Sequence, residues 1–216
     1  AVVRNDLAVP TKLDPILLSL LAPAYSSVAF TMLSNSPSAD VMRRHGARSY
    51  VAFLETEVAQ RQVRLGRLDD ADATVRRVNE AGASGLGATI CGDAEADIAL
   101  ARGQLEKAAE AVARARTGLG RTRDSMFYGP TAAIEVEVAL ARSSDEGVRA
   151  FEEALERLAG AEYGEEYAFS TARLYARGVR AYAEAAGRAR ALGDDDGLDR
   201  AQRGAATAFD LHRQRN

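Results

Sequence analysis

The sequence predicts an all-α fold made of about four antiparallel helical hairpins in series, and three observations carry the prediction. Leu65-Gly66-Arg67-Leu68-Asp69-Asp70-Ala71 is echoed by Arg102-Gly103-Gln104-Leu105-Glu106-Lys107-Ala108, with the turn glycines 37 positions apart. A period of that size signals units that each bury one apolar face against the next. Apolar residues also recur at helical spacing along most of the chain, as in Val148, Phe151, Leu155 and Leu158. No stretch alternates apolar and polar residues between hairpin turns, so strands are not expected.

Taken in order, the first helix is expected over about 14–33, with Pro15 acceptable in a first turn and Pro23 a point of bending or breakage. A Ser/Pro loop at 34–38 follows. Helix resumes at 41–44 and runs to Leu65, with Val51, Leu54, Val58 and Leu65 on one stripe. Gly66 ends it, and Asp69 and Asp70 favour a new N-terminus through capping and the helix dipole. The next helix buries Leu68, Ala71, Val75 and Val78, and a glycine-rich loop at 82–87 closes the unit. Helices at 90–102 and from Leu105 repeat the arrangement, with Leu105, Ala108, Val112 and Leu119 aligned.

The segment 118–130 reads as a longer connection holding Phe127 and Tyr128. The third hairpin carries Ile134, Val138 and Ala141 on its first helix and the Val148 stripe on its second. The fourth begins near Glu165 as one long helix to Leu192, with Tyr175, Val179 and Tyr182 aligned. A turn at 193–197 leads into Leu198, Ala201, Ala205 and Ala208. As domains, this is one helical-repeat unit over 1–216. It comprises an irregular first hairpin (1–44), repeats at 45–82 and 86–119, a degenerate repeat at 130–160 and a long terminal hairpin at 165–214.

Composition narrows the function. Hydrophobic residues make up 47% of the chain and charged residues 27%, the balance of an ordinary folded protein. The net charge of -3 lacks the basic surplus of a nucleic-acid-binding domain. Cys91 is the only cysteine, so no disulfide is possible within the chain and a reducing cytoplasm is the expected setting. With His45 and His212 the only histidines, the usual zinc ligands are too few. No charge falls between Asp14 and Asp40, but Pro15, Pro23, Pro37 and interspersed serines favour a buried helix over a membrane span. No signal-peptide pattern is present, and the start at Ala1 without methionine suggests a piece of something longer.

The two Gly-x-Leu-acid-x-Ala turns resemble those of tetratricopeptide repeats. In that family a small residue seven positions before the turn glycine lets the paired helices approach; Ala59 and Ala96 hold those positions. The small residue of the second helix corresponds to Ala71 and Ala108, and the bulky residue four later to Val75 and Val112. The usual aromatic of the first helix is replaced by Gln62 and Ala99, the closing proline is missing, and hairpins three and four match in periodicity alone. The degenerate repeats, the Arg/Ala-rich style and the long last helix resemble the helical-repeat region of large ATP-binding LuxR-type bacterial transcriptional regulators. That resemblance implies a tetratricopeptide-like superhelix acting as a sensor between an ATPase module and a helix-turn-helix, neither of which occurs here.

Candidate chemistry has a plainer reading at each place. Asp195-Asp196-x-x-Asp199 has the shape of a diphosphate–magnesium motif, with Asp69-Asp70-x-Asp72 a conceivable second cluster. Both lie at turns between helices, where acids cap the next helix, and that reading is preferred. Gly85-Leu86-Gly87 lacks the preceding strand and third glycine of a dinucleotide loop, and Ser84 lacks the strand of a nucleophile elbow. His45 reads as a surface or interface residue and Cys91 as a small core residue. No cofactor or catalytic residue is expected.

Binding is the better expectation. In stacked hairpins the first helix of each pair lines the concave face. With Ala59 and Ala96 packed, the groove-facing neighbours are Thr56, Gln60, Asp93 and Asp97. Tyr128 and Tyr175, with Phe127, Tyr163 and Tyr167, either add anchoring surface to the groove or fill the core between repeats. The expected role is a non-catalytic sensor or interaction segment that binds a protein partner or small-molecule effector. It contacts neither nucleic acid nor membrane, and a homo-oligomer is compatible with it. The alternatives are a free-standing peptide-binding scaffold and, last, a magnesium-dependent diphosphate enzyme.

Overall fold

A computed structural model of the chain describes residues 48–83, 85–120, 124–159 and 167–214. The chain divides into two compact units, 1–46 and 47–216, and all described residues belong to the second. The expected first hairpin at 1–44, its charge-free stretch, His45, Ser84 and Tyr163 lie outside the described residues. So do the side chains of Val51, Leu54, Leu86 and Tyr167.

Every regular element among the described residues is an α-helix: α1 (Arg48–Arg64), α2 (Leu68–Glu80), α3 (Leu86–Ala101), α4 (Leu105–Leu119), α5 (Ser125–Arg142), α6 (Ser144–Leu158), α7 (Tyr167–Leu192) and α8 (Asp195–Gln214). None is long and apolar enough to cross a membrane. Helices pack as consecutive pairs, α1 with α2 through α7 with α8, and each even helix before α8 also rests on the odd helix that follows it. The odd helices touch in sequence, α1 on α3, α3 on α5 and α5 on α7, so they form one continuous row.

The turns explain why the pairs form. Gly66 and Gly103 adopt φ of 73° and 69°, a left-handed conformation that costs glycine little and other residues much. The N–H of Gly66 donates to Val63 and that of Arg67 to Gln62; the N–H of Gly103 donates to Leu100 and that of Gln104 to Ala99. This double bond pattern satisfies carbonyls that a helix end leaves without partners. Gly193, at φ 70°, repeats it, with the N–H of Asp194 donating to Ala189 over 2.9 Å. The third pair uses another device. Ser143 sits in extended backbone and its Oγ accepts from the Glu146 N–H at 3.1 Å, so one residue ends α5 and caps α6.

Two boundaries and one cap differ from expectation. The helix expected from Ile90 begins at Leu86, which takes Gly87 out of the loop. The connection expected at 118–130 is shorter, because Asp124 caps α5 by accepting from the Met126 N–H at 2.9 Å. Phe127 and Tyr128 therefore lie on a helix, and Pro130 falls inside it. The proline has no N–H to donate to the carbonyl of Met126, so the helix forgoes that one bond. Asp69 and Asp70 are not caps either: α2 has no side-chain cap bond, and both acids sit in its first turn. Asp69 pairs with Arg102 at 2.7 Å and Asp70 with Arg67 at 2.7 Å. Asp194 does cap, accepting from the Gly197 N–H at 2.9 Å.

Ala59, Ala71, Ala96 and Ala108 have no exposed surface. Ala59 and Ala71 share one core cluster with Val75, Val78, Cys91 and Ile98; Ala96 and Ala108 share another with Val112 and Ile134. A larger side chain at such a site forces the helices apart. Ala59→Leu is expected to destabilise the protein by about 1–3 kcal/mol, read as a lower thermal midpoint. An unchanged midpoint would show that Ala59 is not a close-packing position.

Candidate functional site

The row of odd helices carries a cavity of about 670 Å³. Its walls come from the C-terminal ends of α1, α3 and α5 and from the middle of α7, so each of the four pairs contributes one helix. Val63, Leu100 and Leu140 supply apolar wall; Arg64, Asp97, Glu137, Arg173, Arg177 and Arg180 supply charge.

The charges are organised around Arg173. Its guanidinium grips Asp97 with two hydrogen bonds, Nη1 to Oδ2 at 2.8 Å and Nη2 to Oδ1 at 2.5 Å. This fork-on-carboxylate geometry is the strongest pairing available to these side chains. Glu137 Oε2 lies between two arginines, 3.5 Å from Arg173 Nη2 and 3.0 Å from Arg177 Nε. Burial disfavours the charge on Arg173, but the hydrogen bonds and negative charges of Asp97 and Glu137 more than offset it and hold the guanidinium above its ordinary range. The Arg173–Asp97 pair thus ties α7 to α3 across the intervening α5.

Of the residues the sequence singles out, Asp97 is placed in the cavity wall. Thr56 and Asp93 lie deeper, at 0% and 2% exposure, and Gln60 is half-buried on α1. Tyr128 and Tyr175 belong to the largest core cluster, with Phe151 and Leu174. The Tyr128 hydroxyl accepts from Arg157 at 3.3 Å, and Tyr175 packs edge-on against Phe151 and tilted over His212. Sequence reasoning missed Glu137 and the arginines of α7. The available signal was Arg173-x-x-x-Arg177-x-x-Arg180, which puts three cations on one side of a helix.

Asp93 is the most perturbed carboxyl described. Burial drives its pKa from 3.8 up to about 8, with the hydrogen bond from Thr131 opposing and the charge of Asp97 adding to the rise. Thr131 Oγ1 lies 2.9 Å from Asp93 Oδ2 and 3.2 Å from the carbonyl of Phe127, while Asp93 Oδ1 has no partner among the described residues. A neutral Asp93 satisfies this geometry. Its O–H donates to Thr131, and the Thr131 O–H is released to Phe127.

The unfolded chain loses the Asp93 proton near pH 3.8 and the folded one near 8, so folding retains a proton between those values. The contribution of this group to stability is therefore complete below about pH 4 and is lost as pH rises through about 8. Asp93→Asn, which mimics the neutral carboxyl, is expected to exceed the wild type in stability by several kcal/mol at pH 9, above the folded pKa of Asp93. The two should converge at pH 4. Denaturant unfolding at the two pH values reads the difference, and parallel curves would refute a neutral Asp93.

Elsewhere the chemistry is quiet. Burial pushes the Cys91 thiol up to about 12, with Glu95 adding to the effect, so the thiolate nucleophile is withheld. Among the described residues no group of three His, Cys, Asp or Glu side chains is placed to hold a metal ion. Comparison with protein families, with curated proteins and with solved structures finds no match to this chain.

Proposed function

We propose that this chain is a non-catalytic sensor or interaction segment, a tetratricopeptide-like superhelix that holds a ligand or protein partner against its odd-numbered helices. The observation that carries the reading is the cavity itself, about 670 Å³ and built from one helix of every described pair. That volume suits a small-molecule site. An occupant touches all four pairs at once, so its binding energy bears on how they are arranged, and a change in that arrangement reaches whatever is attached. The family resemblance makes the attached parts an ATPase module and a helix-turn-helix, and the whole a cytoplasmic bacterial transcriptional regulator.

Two experiments test this. Sequencing the reading frame on either side of the segment should reveal a phosphate-binding loop upstream and a helix-turn-helix downstream; neither being present overturns the regulator assignment. For the groove, a metabolite panel is screened by thermal shift, since a ligand that binds only the folded state raises the midpoint by mass action. The same metabolite should lose its effect on Ala101→Trp, which fills the cavity from an exposed position at the end of α3. A shift that survives this substitution places the ligand elsewhere and refutes the groove.

A further inference from the structure

We propose that the cavity takes a small organic anion with an apolar body, a carboxylate or phosphate head seated on the arginines of α7 and α1. The proposal rests on the groove reading above and names the ligand class for that same site. Its basis is a charge imbalance confined to the cavity. Four arginines line it against two carboxylates, in a chain whose net charge is -3. Both carboxylates are already engaged, Asp97 by the fork of Arg173 and Glu137 by Arg173 and Arg177.

What remains is cationic. Arg64 has no carboxylate within 4.0 Å among the described residues. Arg177 meets Glu137 through Nε, and Arg180 meets Glu184 through Nε at 2.9 Å. Both residues line the cavity, and neither has an Nη atom in a hydrogen bond or ion pair among the described residues. Cations gathered in one concavity repel each other, and the low-dielectric wall makes the repulsion stronger than at an open surface. An anion relieves that repulsion and accepts the unused N–H groups in the planar geometry that guanidinium offers to carboxylate and phosphate. Val63, Leu100 and Leu140 stand beside the arginines, so the ligand that gains most has a hydrocarbon portion behind its charged head.

The test uses the full 216-residue chain and two fluorescent probes sharing one aromatic body: 8-anilinonaphthalene-1-sulfonate, an anion, and N-phenyl-1-naphthylamine, which is neutral. The sulfonate should bind saturably at one site and more tightly than the neutral probe. Arg177→Gln with Arg180→Gln should weaken the sulfonate by about tenfold or more, as loss of charge-assisted hydrogen bonds requires, and leave the neutral probe within about twofold. Arg64→Gln, at the exposed end of α1, should weaken the sulfonate alone and serves if the double variant misfolds. Arg190→Gln, an exposed α7 arginine outside the cavity wall, is the control.

Sulfonate affinity lowered no further by the double variant than by Arg190→Gln overturns the proposal. So does equal affinity for the two probes, and so does displacement of the sulfonate by hexaglutamate at lower concentration than by octanoate, which would favour an acidic peptide. The groove reading fails separately: if both probes bind equally and Ala101→Trp abolishes both, the groove stands and the anion does not. If the double variant weakens sulfonate binding but Ala101→Trp does not, the arginines act outside the cavity and both readings fall.

Discussion

Replacing Asp97 with alanine is expected to cost about 2–4 kcal/mol of stability, because it leaves the Arg173 guanidinium largely enclosed with half of Glu137 as its sole counter-charge. The figure sits below that of a fully buried pair because the Arg173 side chain is 32% exposed and water screens part of the loss. Arg173→Met should cost less, since it removes the larger desolvation burden and fills the space with an apolar chain. Joining it to Asp97→Leu should recover much of the loss, and the cycle over the four proteins then reads the coupling free of each residue's other contacts. Denaturant unfolding supplies the measurement. Additive single effects would mean that the fork contributes nothing beyond its parts.

Phe151→Ala is expected to be the most damaging core substitution, at about 3–5 kcal/mol. The ring is fully buried on α6 and meets two tyrosines of α7 edge-on, Tyr175 with centroids 5.9 Å apart and Tyr182 at 6.1 Å. It also lies directly over Gly178, where a β-carbon would collide with three ring atoms. Glycine inside a 26-residue helix costs about 1 kcal/mol against alanine, so its presence there reflects the ring above it. Gly178→Ala should therefore destabilise the wild type by about 1–3 kcal/mol through overpacking. In the Phe151→Ala background the same change should stabilise, because the space is free and the helix gains a better residue. A change of sign in thermal midpoint between the two backgrounds is the expected signature; the same sign in both would show that the collision relaxes without cost.

Much of the helical pattern was legible because it depends on local chemistry. Gly66 and Gly103 announce turns since few other residues tolerate a left-handed backbone, and the apolar stripes of α2, α4 and α6 are each covered by the two odd helices beside them, that of α8 by α7. Pro130 misled for an equally local reason. Proline is a biased sign of a helix boundary and not an absolute one, and Pro130 lies in the second turn of α5, where it costs one backbone hydrogen bond. Asp69 and Asp70 do not cap because α2 begins at Leu68, with Arg67 at the capping position; both lie in the first turn, where they favour the N-terminus through the helix dipole and pair at 2.7 Å with Arg102 and Arg67.

The candidate site was less legible because its partners are remote in sequence. Asp97 is identifiable from the repeat register, but nothing local marks Arg173, 76 residues away, as its partner. Helical spacing puts Tyr175 on a stripe without saying whether that stripe meets the groove or Phe151. The answer depends on which helices flank α7, and a single sequence does not carry that information.

The fork between Arg173 and Asp97 also alters what kind of object the stack is. A row in which each pair touches only its neighbours melts as a zipper does, fraying from either end with each unit independent of those two away. A clamp from α7 to α3 across α5 removes that independence for the last three pairs. Amide exchange in α3, α5 and α7 should therefore share one opening free energy, while α1 and α2, outside the clamp, open at lower cost. Cutting the clamp would return the protein to a graded series.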